Sequence, residues 1–148
     1  MPHPNTLKTI CNSFLTDPCV EERKLFLTYA RGIFQYLKDH EKHMILLMDE
    51  IHIKPYLDYK GGNIVVPAIN NNNLANSAFT FMINSVYSNF KEVIHISPVA
   101  KIDHAILFGF IKSIIMGLET IGYKIFCVIS DNNAVNSKAM SNFSAKNN

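Results

Sequence analysis

The chain has no tryptophan, only three cysteines, and no strong excess of either charge. Cys11, Cys19 and Cys127 make an odd count without metal-like spacing. That argues against a disulfide framework or a cysteine/histidine zinc module, and favours reduced thiols in an intracellular setting. Glycine is scarce, with six in 148 residues. There is no glycine-rich phosphate loop, because Lys60-Gly61-Gly62 opens no helix, so a small nucleotide-binding domain finds little support. Long uncharged apolar runs are also missing. The longest, residues 105–116, is broken by Lys112, so no membrane span is expected. The opening Met-Pro-His-Pro-Asn lacks a charged region followed by an apolar core, so no secretory signal is expected. With 14 basic and 12 acidic residues the formal charge is +2. That balance neither requires nor excludes a nucleic-acid partner, since a domain gripping DNA alone usually carries a stronger basic stripe.

What is present is core material. The chain is 48% hydrophobic, with 10 phenylalanines and 6 tyrosines, and its length suits one domain. Residues 1–18 read as a polar N-terminal extension with a short apolar turn at Leu7, Ile10 and Phe14. A helix follows, with Asp17 as cap, Pro18 in the first turn and Glu21 and Glu22 at its positive end. Val20, Leu25, Phe26, Tyr29, Ile33, Phe34 and Leu37 recur at helical spacing, and Gly32 weakens that helix without ending it. Met44 to Met48 read as a strand apolar on both faces, with Pro55 closing the segment. Residues 56–59 and 63–66 flank Lys60-Gly61-Gly62 as a hairpin. Residues 67–76, with the run Asn70 to Asn73, read as a surface loop.

Residues 78–87 and 92–98 read as strands, either one long bent strand or two. Asp103 caps a helix running to about Ile121, with Ile106, Leu107, Phe110, Ile114, Ile115 and Leu118 as its apolar face and Gly122 as its stop. Residues 123–130 read as a further buried strand, with Asp131 at its carboxyl end. A last helix begins near Asn133, and residues 144–148 form a polar tail. Antiparallel strands thus come first. A crossover helix then allows the last strand to lie parallel to the first.

Two acids stand out by position, Asp49 and Asp131, each ending a hydrophobic strand run. Carboxylates are costly in such surroundings unless they meet water, cations or donors. If the two strands are parallel neighbours, both acids emerge at one edge. Two carboxylates held close together repel, and a hard divalent cation relieves the repulsion. Two such ions can activate a water and stabilise the leaving oxygen in phosphodiester cleavage. The plainer account is that an Asp after a buried strand caps a helix or forms a turn. Asp49 and Glu50 point to opposite faces, and pattern alone leaves open which faces the cleft.

Four segments carry a resemblance. They are Leu47-Met-Asp-Glu-Ile-His-Ile-Lys-Pro55, Tyr59-Lys-Gly-Gly-Asn-Ile-Val65, Phe79-Thr-Phe-Met-Ile-Asn-Ser-Val86 and Cys127-Val-Ile-Ser-Asp-Asn-Asn133. In this order they resemble P-element-type transposases and the related THAP-domain transposase-like proteins, from about residue 2 to about residue 143. The resemblance implies an α/β ribonuclease H-like fold, a mixed sheet with flanking helices, incomplete at the C-terminus and occupying residues 19–143. It implies a cut-and-join reaction on DNA at a three-acid site with Mg2+ or Mn2+. The first two acids match Asp49 and Asp131. The third lies downstream of an inserted GTP-binding domain in the family, beyond the last residue here, and a zinc-finger module precedes the core. Where family members tend to have Gly after the Asn-Ile-Val run, this chain has Val66-Pro67.

The expectation is a transposase core fragment, inactive alone, that in a nuclear parent acts on transposon ends with Mg2+ or Mn2+. The alternative is a domesticated, non-catalytic protein-interaction module, with self-association as one form. Other residues weigh less. His40, His43, His52 and His104 read as surface or supporting residues rather than ligands. Cys127 reads as core. Lys54, Lys60 and Lys101 read as solvated surface. The aromatic stretch of the first helix reads as core rather than a base-stacking platform.

Overall fold

A computed structural model of the chain describes residues 22–54, 58–60, 63–65 and 74–144. In chain order the elements are α1 (Glu22–Phe34), a 3-10 turn (Asp39–Lys42), β1 (His43–His52), β2 (Asp58–Lys60) and β3 (Asn63–Val65). Then come β4 (Ser77–Ser85), β5 (Lys91–Val99), α2 (His104–Ile121), β6 (Lys124–Ser130) and α3 (Ala134–Ser144). The expected start of the first helix, the residue 1–18 extension, the asparagine run and the tail fall outside the described residues.

The main sheet has the order β5-β4-β1-β6. β1 is antiparallel to β4, and β4 to β5. β1 is parallel to β6, which α2 makes possible by carrying the chain back along the sheet. β2 and β3 form a separate antiparallel pair in which Lys60 pairs with Asn63, and the expected double-glycine turn lies outside the described residues. Residues 78–98 are two strands, not one bent strand.

Alternation along the strands fixes two faces. Met44, Leu46 and Met48 of β1, with Phe79, Phe81 and Ile83 of β4, are buried. They pack with Ala30 of α1, with Leu107, Ile111, Ile114 and Leu118 of α2, and with Ala139 of α3. Each of the Met, Leu, Ile and Phe side chains removed from water contributes about 1.5–3 kcal/mol. The apolar stripe of α2 therefore runs through Leu107, Ile111, Ile114 and Leu118. This corrects the sequence-derived face, because Ile106 is exposed and Ile111 takes its place against the sheet.

α2 is also long and apolar enough, by length and composition alone, to cross a membrane. In the fold it is the helix that seals the sheet. Asp103 caps it, its carboxylate accepting from the backbone N–H groups of Ala105 and Ile106, both at 2.8 Å. Gly122 ends it at φ 119°, a left-handed conformation that suits glycine.

The opposite face of the sheet carries half-buried Ile45, Leu47 and Met82. Val93, Ile96 and Ile129 are exposed on it. β6 lies at the sheet edge. Two expectations are corrected here. β6 is not a buried strand, and Cys127 is exposed rather than core. Cys127 pairs in register with Ile45, which places it on that uncovered face.

Candidate functional site

β1 is an alternating apolar strand through Met48, and then its pattern turns polar. Asp49 continues the outer-face series of Ile45 and Leu47 and is exposed, whereas half-buried Glu50 faces the core side opposite Phe79. The carboxylate of Asp49 accepts from the backbone N–H of Glu50 at 2.9 Å. Opposite Asp49 on β4 stands Thr80, whose buried hydroxyl has no hydrogen-bond partner among the described residues.

β6 reaches the same edge of the sheet. Its parallel ladder with β1 ends where Met48 lies beside Ser130, and the next residues are Asp49 and Asp131. Both acids thus follow the last paired position of two adjacent parallel strands. Both residues are exposed, and among the described residues neither forms an ion pair.

Asp131 is held by the start of α3. One carboxylate oxygen accepts from the side-chain amide of Asn136, and the other from that of Asn133 at 3.4 Å. Asn133 also caps α3, its side-chain oxygen accepting from the Asn136 backbone N–H at 2.8 Å. The Ser137 hydroxyl donates to the side-chain oxygen of Asn132 at 2.7 Å, which ties the intervening turn to the same helix. Asn136 and Thr80 were not marked out by the sequence, and Asn133 was marked only as the start of the last helix.

Two exposed, uncompensated carboxylates supply hard oxygen donors, which suit Mg2+ or Mn2+. They fit such an ion as part of a ligand set. Among the described residues no group of three or more His, Cys, Asp or Glu side chains is placed to hold a metal. The histidines lie elsewhere. His43 sits with Nδ1 3.1 Å from the His40 carbonyl and stacks on Phe126, its ring centroid 5.5 Å away. His52 is exposed and pairs with Ser77, and His104 is the exposed first residue of α2.

The family model for the TNP-like, RNase H N-terminal domain matches residues 23–144. The chain belongs to this family. The fold matches the Drosophila P element transposase strand transfer complex with a TM-score of 0.65 and 15% sequence identity. That match covers 96% of this chain and 29% of the transposase chain. No curated protein matches in sequence. The TNP-like domain is thus a ribonuclease H-like α/β domain, and the chain spans under a third of the length of the transposase whose fold it matches.

Proposed function

We propose that this TNP-like domain is the front of a DNA strand-cleavage and strand-transfer centre, with Asp49 and Asp131 as two of its metal-binding carboxylates. The observation that carries the reading is the parallel pairing of Met48 with Ser130, which delivers an aspartate to the same edge from each of two adjacent strands. Their like charges favour a shared divalent cation. Mg2+ or Mn2+ held there would activate the attacking water or hydroxyl and stabilise the leaving oxygen of a phosphodiester. Asp49 contributes from a rigid central strand, and Asp131 from a turn fixed by α3. The substrate is DNA, the ends of a transposable element, acted on in the nucleus by a longer protein. Two carboxylates make an incomplete catalytic set, so the domain alone binds the cation without cutting DNA.

The test is a Mn2+ titration followed by backbone NMR. Paramagnetic broadening centred on Asp49 and Asp131 supports the reading. Broadening centred on the histidines, or none at either acid, sinks it.

A second reading, a non-catalytic interaction module, has one observation in its favour. Val93, Ile96 and Ile129 are exposed on the outer face of the sheet, and β6 lies at its edge. Light scattering distinguishes it. A chain that stays monomeric at high concentration disfavours self-association as the form this takes.

A further inference from the structure

Asn136 is fully buried, an unusual place for a polar amide on a short helix. It lies one helical turn from Ala139, which packs into the apolar core. Its side-chain nitrogen donates to the carboxylate of Asp131. An ionised carboxylate can only accept, so this contact fixes the amide's orientation. The nitrogen must face Asp131, and the amide oxygen must face inward. That oxygen is buried and has no hydrogen-bond partner among the described residues. Burying an unsatisfied carbonyl oxygen is destabilising, and an apolar side chain would suit the position better for stability alone. The reason for an amide here therefore lies at Asp131.

The donors that meet Asp131 share a property. Asn136 and Asn133 offer one neutral N–H each, to opposite oxygens of the same carboxylate. A lysine or arginine would hold the group as firmly but cancel its charge. Neutral amides orient the carboxylate and leave its negative charge for a cation. The Asn136 backbone N–H is itself tied to Asn133, so both donors are fixed to the first turn of α3.

We propose that Asn136 is the positioning residue of Asp131, holding its carboxylate in the orientation that receives a divalent cation while its own oxygen stays unsatisfied. The proposal rests on the reading of Asp131 as a cation ligand. Asn136 acts through Asp131 and touches no metal itself.

The experiment measures Mn2+ affinity and thermal stability of the 148-residue chain, for the wild type and for N136L, N136A and D131N. N136L should weaken Mn2+ binding about tenfold or more, the usual effect of removing a group that orients a metal ligand. Its Tm should be unchanged or higher, because the unsatisfied oxygen is gone. N136A should weaken binding similarly, with a lower Tm from the cavity it leaves. In the wild type, the Asn136 side-chain amide signals should shift with Mg2+ over the same concentration range as those of Asp131.

Unchanged affinity in either folded Asn136 variant, with D131N losing binding, overturns the role of Asn136 and leaves the function standing. Loss of binding that merely follows loss of Tm in both variants also overturns it. If neither variant folds, Asn136 amide signals that do not move with Mg2+ overturn it. If D131N binds Mn2+ as the wild type does, the functional reading itself fails.

Discussion

Met48 of β1 lies beside Ser130 of β6 in parallel register, and each is followed by an aspartate at the edge where the ladder ends. If these acids share a cation, Mn2+ at ten times its dissociation constant should stabilise the folded chain by about 1.4 kcal/mol. D49N and D131N should each lose that stabilisation. In metal-free buffer D49N should stay within about 0.5 kcal/mol of the wild type, as expected for an exposed side chain. Thermal melts with and without Mn2+ check both statements, and equal Mn2+ stabilisation in all three proteins contradicts the shared site.

Gly122 ends α2 at φ 119°, and a Cβ built there would stand 2.7 Å from the Phe34 ring of α1. Substitution by alanine therefore meets a backbone penalty and a clash together. The ring cannot simply swing away, because it packs edge-on against Tyr123 at 5.0 Å. G122A should cost about 2–3 kcal/mol in urea unfolding. A loss below about 0.5 kcal/mol would contradict both the backbone penalty and the clash.

Much of this fold is legible in the sequence because its signals are local. Asp103 and Gly122 bracket α2, and the Lys60-Gly61-Gly62 signal in the sequence anticipates the pairing of β2 with β3. The apolar run at Met44 gives β1, although the strand extends to His52 because β4 continues to pair with it. The phase of α2 was less legible. Ile106 and Ile111 are equally apolar, and only packing chooses Ile111. β6 misleads for a related reason. Its residues are apolar on both faces, which reads as burial, yet the described fold covers only the face that carries Val128. Asp49 and Asp131 were readable as acids that follow apolar runs, but their place on adjacent strands needed the register, and β1 runs past Asp49 to His52. Asn136 was not readable, since an asparagine in the first turn of a helix ordinarily faces water.

Tyr123 connects α1 to the start of β6. Its hydroxyl donates to the Ala30 carbonyl at 2.9 Å while its ring is buried. Burial, with a smaller contribution from Tyr29, pushes the phenol up to about 12. Because the folded value is raised, its contribution is fully present below the unfolded value near 10 and is lost as pH rises from there toward 12. Y123F should cost about 1 kcal/mol at neutral pH through the lost hydrogen bond. It should also flatten the alkaline limb of the stability curve. Urea melts at pH 7 and pH 11 check this, and an alkaline limb of undiminished slope in Y123F assigns that limb to other groups.

His95 contributes on the acid side with the opposite sign. It lies on β5 against Phe81, with ring centroids 6.0 Å apart and planes inclined at 26°. Burial holds its pKa below the usual histidine value. The unfolded chain therefore binds a proton that the folded chain resists. The associated stability is intact above the unfolded pKa of about 6.5 and is lost as pH falls through the folded pKa. The slope from this one group is at most about 1.4 kcal/mol per pH unit. H95F keeps a ring for Phe81 to stack on and removes the proton site. It should match the wild type at pH 7.5 to within about 1 kcal/mol and exceed it at pH 5. If both proteins lose the same stability between those two pH values, the acid sensitivity belongs to carboxylates elsewhere and not to this half-buried ring.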